Sequence, residues 1–383
     1  MSARVLALDH AGVLGGAELS MLDVVVGLGA DVRVRLFADG PFRQVLERRG
    51  VDVQVLPMGL LGDVKKESRV PSPRALLAAW RLAGRVAGEA RAARVLYANS
   101  QKAFVVAALA GLRCRRPVVW HLRDLLGPPH FSALNTRAVV TMANQRASLV
   151  IANSHATAAA FIAQGGAPQK VRVVHNGIDA GPFDAVSDSS ARTLRAQLSP
   201  AAAYVMAVFG RLSSWKGQDI AIAALRALPA DCHLWIVGAP LFGEHAVESQ
   251  LRAMAVSLGV AERVQFLGFR DDIPRLMKGA DVVVHASTLP EPFGRVVVEG
   301  MLAGRPVVAS AGGGVEEILD DGRTGVLVPP GDAEILARAV RALRDDPAHS
   351  AALAAAGAAH ARAAFSVGDM VRGVRAALDE AIG

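Results

Sequence analysis

A chain of 383 residues, 52% hydrophobic and 20% charged, is long and apolar enough for two domains with separate cores, and is not a disordered sequence. Its net charge of +7 would suit nucleic acid, a membrane surface or an anionic substrate, but with 5% aromatic residues and no RNA-reading motif, no nucleic-acid partner is expected. Cys114 and Cys232 match no metal or disulfide spacing, which suits a reducing cytoplasm. No apolar run approaches the ~20 residues of a transmembrane helix, and Asp9 and His10 break the first one, so it reads as a strand and not a signal peptide.

In chain order, Arg4–Leu8 predicts a buried strand, followed by Gly12, Gly15 and Gly16 and an apolar helical pattern through Leu19, Leu22 and Val26. Backbone N–H groups of such a strand–glycine turn–helix can face a phosphate, although no G-x-G-x-x-G runs through it. Further strands are predicted at Val32–Phe37, Val53–Leu56, Val95–Ala98, Val118–His121, Leu149–Ala152 and Val171–Val174, with helices between them, among them Leu76–Ala90 and Ala156–Ala163. This alternation predicts an α/β fold with a parallel, doubly wound sheet. Polar residues gather at the strand ends, where such sheets bind ligands: Asn99-Ser100, His121 with Arg123-Asp124, Asn153-Ser154, and His175 to Asp179. By itself His121 reads better as a hydrogen-bonded core histidine than as a site residue. Basic clusters, Lys65-Lys66 through Arg94 and Arg113, Arg115 and Arg116, form either a solvated face or a peripheral contact with anionic membrane.

The Asp/Ser-rich stretch 181–200 reads as a linker between an N-terminal domain, 1–180, and a second domain, 201–360, with 361–383 as a closing helix. The second half repeats the plan, with strands predicted at Tyr204–Phe209, His233–Val237, Val264–Leu267, Asp281–His285, Pro306–Ala309 and Val326–Val328. Gly210-Arg211 through Lys216-Gly217 forms a turn opening a helix near Gln218. Arg211 and Lys216 would clamp adjacent phosphates there, or stand as two exposed cations. After Asp281–His285 comes a loop with Glu291, Phe293 and Gly294, then a helix to Leu302 carrying Glu299. Val296-Val297-Val298 is a β-branched run that argues locally for a strand instead. Two such carboxylates could do acid/base work, ligate a metal, accept from sugar hydroxyls, or be solvated.

The stretch Leu289–Pro306, continued through Gly312-Gly313-Gly314-Val315-Glu316-Glu317-Ile318 and Asp321-Gly322, resembles the donor-site signature of retaining GT-B glycosyltransferases, glycosyltransferase family 4. In that signature two glutamates are separated by seven intervening residues, with Phe-Gly after the first; this chain departs in having Gly300 where the family commonly has alanine. The resemblance implies two Rossmann-like domains facing across a cleft, the last helix crossing back to the first domain. It also implies transfer of a sugar from a UDP- or GDP-sugar to a hydroxyl acceptor, with no metal or other cofactor. Gly15, Gly16, Gly210, Arg211 and Lys216 would serve the diphosphate, Glu299 the ribose, and Glu291, Phe293, Gly294 and His121 the sugar. Asn99 and Asn153 would lie on the acceptor side. No Asp-x-Asp triplet of the metal-dependent transferases occurs. A GT-B sugar-nucleotide 2-epimerase and a catalytically silent sugar-nucleotide-binding protein are the alternatives.

Overall fold

A computed structural model describes residues 4–59, 73–128, 131–200, 203–240 and 246–383. The chain forms two compact units, Met1–Gly177 together with Val367–Gly383, and Ile178–Ser366.

Among the described residues, the first unit is built on a parallel sheet of seven strands: β1 (Val5–Asp9), β2 (Val32–Leu36), β3 (Asp52–Val55), β4 (Val95–Ala98), β5 (Val118–Leu122), β6 (Leu149–Ala152) and β7 (Val171–Val173). Their spatial order is β3-β2-β1-β4-β5-β6-β7, so the winding reverses between β1 and β4. The central strands are buried along their whole length, because helices cover both faces of a parallel sheet; this is why they read as continuous apolar runs. Trp120 anchors one face, stacked on Phe104 at 4.5 Å between ring centroids and edge-on to Phe161 at 6.2 Å. The last helix, Val367–Ile382, closes the other face: Met370, Val374, Ala377 and Leu378 are buried with Val5, Ala7, Met21 and Val24.

The second unit carries six parallel strands among its described residues: β8 (Tyr204–Phe209), β9 (Cys232–Val237), β10 (Val264–Gly268), β11 (Val282–His285), β12 (Val307–Ser310) and β13 (Val326–Val328), ordered β10-β9-β8-β11-β12-β13. Here the winding reverses between β8 and β11.

Two expectations are corrected. Residues 181–200 hold two helices, Gly181–Asp184 and Asp188–Leu198, whose Phe183, Ala191 and Leu194 are buried; the stretch is part of the second unit, not a linker. Its serines are polar for a local reason, since the Ser187 side chain caps the second helix by accepting the Ser190 N–H. The β-branched run Val296-Val297-Val298 lies inside the helix Arg295–Leu302. Val297 and Val298 are fully buried there, and that burial outweighs the propensity difference. Elsewhere the strand ends differ from expectation by about one residue. β1 runs on through Asp9, because Phe37 donates its N–H to the Asp9 carbonyl at 2.8 Å.

Candidate active site

In open α/β sheets the ligand crevice lies beyond the carboxyl ends of the strands, where the winding reverses. In the second unit these are the ends of β8 and β11, and Glu291 lies in the loop after β11. Its Oε1 accepts from Lys216 Nζ at 2.7 Å, His285 Nε2 at 2.7 Å and Ser287 Oγ at 2.5 Å. Burial alone would push the Glu291 carboxyl up, but the Lys216 charge and the His285 hydrogen bond hold it well below the usual carboxylate range. No donor among the described residues reaches Oε2, so the protein fixes the carboxylate through one oxygen.

Two glycines bring these loops together. Gly217, at φ +72°, caps the helix Gln218–Ala227, and a Cβ on it would stand 1.8 Å from the Ala286 carbonyl oxygen. Gly313, at φ +66°, sits so close to Glu291 that a Cβ would lie 2.1 Å from the Glu291 carbonyl oxygen. Gly314 donates its N–H to that carbonyl at 2.9 Å, and Thr288 donates to the Trp215 carbonyl at 2.8 Å. The turn 210–217, the Glu291 loop and the glycine turn 312–314 are thereby tied into one rigid rim.

Arg211 and Lys216 are half-buried on this rim beside Trp215, with Lys216 Nζ 4.4 Å from the Trp215 ring centre. Gly210, at φ +134°, donates its N–H to the Val237 carbonyl at 3.0 Å. Gly294, at φ +110°, caps the helix Arg295–Leu302. The Phe293 side chain is buried edge-on to Phe365 at 5.6 Å, so what this residue can offer a ligand is its backbone. Glu299 lies one helical turn from Arg295, 3.5 Å from its guanidinium.

In the first unit the switch point is the end of β1 and β4, and it holds a buried polar network. Asn99 Nδ2 donates to Asp9 Oδ2 at 2.5 Å, while Asn99 Oδ1 accepts from Arg123 Nε at 2.5 Å. Arg123 Nη1 donates to Asn176 Oδ1 at 2.8 Å, which also accepts from the Ser20 hydroxyl at 2.8 Å. His121 lies fully buried beside this network, its Nδ1 2.6 Å from the Tyr97 hydroxyl. Asn153 stands apart, accepting the Thr157 hydroxyl at 2.9 Å at the start of the next helix. The structure therefore gathers Asn99 and His121 at one network, whereas Asn153 serves a helix start.

The glycine turn of this unit caps itself. Gly15 precedes the helix Gly16–Leu28 and donates its N–H to Glu18 Oε2 at 3.0 Å, so one N–H expected to face phosphate is already engaged. Burial, with the Asp9 charge adding to it, pushes the Glu18 carboxyl up to about 7. Between the ordinary glutamate range and pH 7 the folded chain then binds more protons here than the unfolded one. This contribution is present in acid and falls away as pH rises, by about 3 kcal/mol in all. Asp9 and Glu291 are shifted the opposite way, so their contributions are lost only below the ordinary carboxylate range. His121, buried and held neutral, works in the opposite sense below the ordinary histidine range, so the test is a difference: Glu18→Gln is expected to gain Tm relative to the wild type as pH rises from 5 to 8, and an identical slope in the variant would refute the assignment.

Sequence reading placed Arg123 and Asn176 among the crevice-lining strand ends without a role, and did not single out His285, Ser287, Glu18, Asp9 or Tyr97 as site residues. Most of them stood at the polar ends of predicted strands, which is the one signal that could have found them.

Two doubly wound parallel sheets, each presenting polar residues at its switch point, define a protein of the two-domain GT-B type. The model for Glycosyl transferases group 1 matches residues 191–360, and that for the Glycosyl transferase 4-like domain matches 15–177. The solved structure of Anabaena HepE in complex with UDP-glucose superposes with a TM-score of 0.91 at 41% identity, covering 98% of this chain and 99% of that one. D-inositol 3-phosphate glycosyltransferase 1 of Catenulispora acidiphila is 33% identical over 358 residues, 90% of this chain and 80% of that protein. D-inositol 3-phosphate glycosyltransferase of Mycolicibacterium gilvum is 35% identical over 202 residues, 52% of this chain, so the chain spans 44% of that relative's length. The chain belongs to the group 1 glycosyltransferases.

Proposed function

We propose that the protein transfers a sugar from a nucleotide-diphosphate sugar to a hydroxyl acceptor with retention at the anomeric carbon. The observation that carries this reading is the rim of the second unit, where Glu291 is held on one oxygen beside Arg211 and Lys216. The difficult step in such a transfer is departure of the nucleotide diphosphate while positive charge grows on the sugar. Arg211 and Lys216 offset the phosphate charge; Glu291 Oε2 accepts from a sugar hydroxyl, and Glu299 accepts from the ribose. Lys216 has a second task, since it also neutralises Glu291. Support for a UDP-sugar comes from HepE, solved with UDP, with UDP-glucose, and with UDP and glucose.

Titration of the wild type with UDP, GDP and UDP-glucose, with and without EDTA, tests the reading. Arg211→Ala is expected to weaken nucleotide-diphosphate binding about 10- to 100-fold, the effect of losing one charge-assisted contact. Lys216→Ala should do the same and also lower Tm, because it strips Glu291 of its cation. Transfer should survive excess EDTA, since two protein cations take the place of a metal. Loss of activity restored by Mg²⁺ or Mn²⁺ would refute metal independence, and unchanged affinity of Arg211→Ala for every diphosphate would refute the clamp. Release of free nucleotide diphosphate with an acceptor separates a transferase from a silent binder, and product analysis separates it from an epimerase.

We further propose that the helix Pro73–Ala90 of the first unit docks on anionic membrane, which would point to a lipid-linked acceptor. Among the described residues no helix is long and apolar enough to cross a membrane. One face of this helix buries Ala79, Leu82, Val86 and Ala90, while Leu76, Leu77 and Trp80 are 56%, 49% and 49% exposed among the exposed Arg74, Arg81 and Arg85. Arg113 stacks 3.5 Å from the Trp80 ring centre. Lys65, Lys66 and Arg69 of the same basic stretch lie outside the described residues. Co-sedimentation with anionic vesicles at low salt, abolished by high salt and by Trp80→Ala with Leu77→Ala, is the expected result. Equal, negligible binding to anionic and neutral vesicles would overturn it.

A further inference from the structure

The buried network of the first unit sets the proton position on His121. Nδ1 faces two groups, the Tyr97 hydroxyl at 2.6 Å and Arg123 Nη2 at 3.3 Å. Arg123 has no acceptor atom and does not deprotonate. A hydrogen on Nδ1 would point into a guanidinium N–H, so Nδ1 carries the lone pair and accepts from Tyr97. Arg123 is itself held in place by Asn99 and Asn176, and Asn99 by the Asp9 carboxylate. The ring's one hydrogen therefore lies on Nε2. That atom is buried and has no hydrogen-bond partner among the described residues. A buried donor left without an acceptor is costly, and such groups are uncommon unless a ligand or water completes them.

We infer that Tyr97 and Arg123 are positioning residues that lock His121 as a neutral Nε2–H donor, aimed at an acceptor oxygen of a bound ligand. Resting on the transferase reading, that oxygen is a sugar hydroxyl. The same geometry assigns His121 no acid/base role. Burial and the adjacent Arg123 charge push its imidazolium well below the ordinary histidine range, so there is no proton to give at neutral pH and no free lone pair to take one. The groups that bear on its titration are Tyr97 on β4, Arg123 after β5 and, through Asn99, Asp9 on β1.

Two-bond ¹H–¹⁵N spectra of the full chain labelled on histidine nitrogen test this, with His121→Ala identifying the signals. The expected result is a single Nε2–H tautomer that does not titrate between pH 5.5 and 8.5. An Nδ1–H tautomer, or a midpoint inside that range, overturns the inference. Tyr97→Phe keeps the ring and removes the donor to Nδ1; it should allow a detectable Nδ1–H fraction and weaken UDP-glucose binding about 3- to 10-fold while leaving UDP binding unchanged. Equal weakening of both ligands would mark Tyr97 as merely structural and overturn the positioning role. If the wild type binds no nucleotide sugar at all, the transferase reading fails, whereas the tautomer assignment is still decided by the spectrum.

Discussion

Glu291→Ala is expected to lower turnover by about 100-fold or more and to destabilise the second unit by about 2–3 kcal/mol. Both effects have one origin. The carboxylate gathers Lys216, His285 and Ser287 on a single oxygen, and its removal leaves a largely buried ammonium and two donors facing each other without an acceptor. The stability figure is set below that for a fully buried pair, because Lys216 is 19% exposed and water can reach it. Glu291→Gln retains the shape and an acceptor oxygen, so it should recover part of the stability but little of the turnover. Steady-state kinetics with UDP-glucose, alongside thermal melts, checks both; an alanine variant with wild-type kcat and Tm would remove Glu291 from the site.

Gly217→Ala should cost the second unit about 3 kcal/mol or more, a fall in Tm on the order of 10 °C for a unit of this size. A left-handed backbone at φ +72° already disfavours a side chain by about 1–2 kcal/mol. The larger share comes from contact with Ala286: at 1.8 Å a Cβ meets a carbonyl of the next loop, not the yielding tip of a side chain. Gly259 provides the comparison. It has φ +70° in the same unit with nothing within 4 Å, so Gly259→Ala should lose only the conformational part. Similar Tm values for the two variants would show that the close approach carries no weight. Because Gly217 follows Lys216 and faces the residue before Ser287, the same substitution should also weaken donor binding.

Much of the second unit could be read from sequence because its chemistry is local. Gly210 to Gly217 is one turn, and Glu291 to Glu299 spans one loop and one helix. Apolar runs marked the strands for a similar reason, since a parallel sheet covered on both faces tolerates no alternation. What sequence concealed was long-range. Asp9, Asn99, Arg123 and Asn176 meet only because β1, β4, β5 and β7 bring their ends together, and no spacing within the chain encodes that. His285 was visible only as the polar end of an apolar strand, and Gly15 and Gly16 suggested an open phosphate cradle until Glu18 was found on the Gly15 N–H. Val296 to Val298 misled in the opposite sense, because local preference was outweighed by burial.

The position of the last helix bears on how the molecule is made. Strands β1 to β7 leave the ribosome first, yet Met370, Val374, Ala377 and Leu378 belong to their core. Val371 packs where Gly27 leaves room for it, and Arg172 pairs with Glu380 at 2.5 Å. The second unit, Ile178–Ser366, is contiguous and lies in the chain between the N-terminal sheet and the helix that covers it. The nascent N-terminal sheet must therefore wait with Met21, Val24 and Val25 uncovered on one side. Emergence of the helix Val367–Ile382 is the event that seals it.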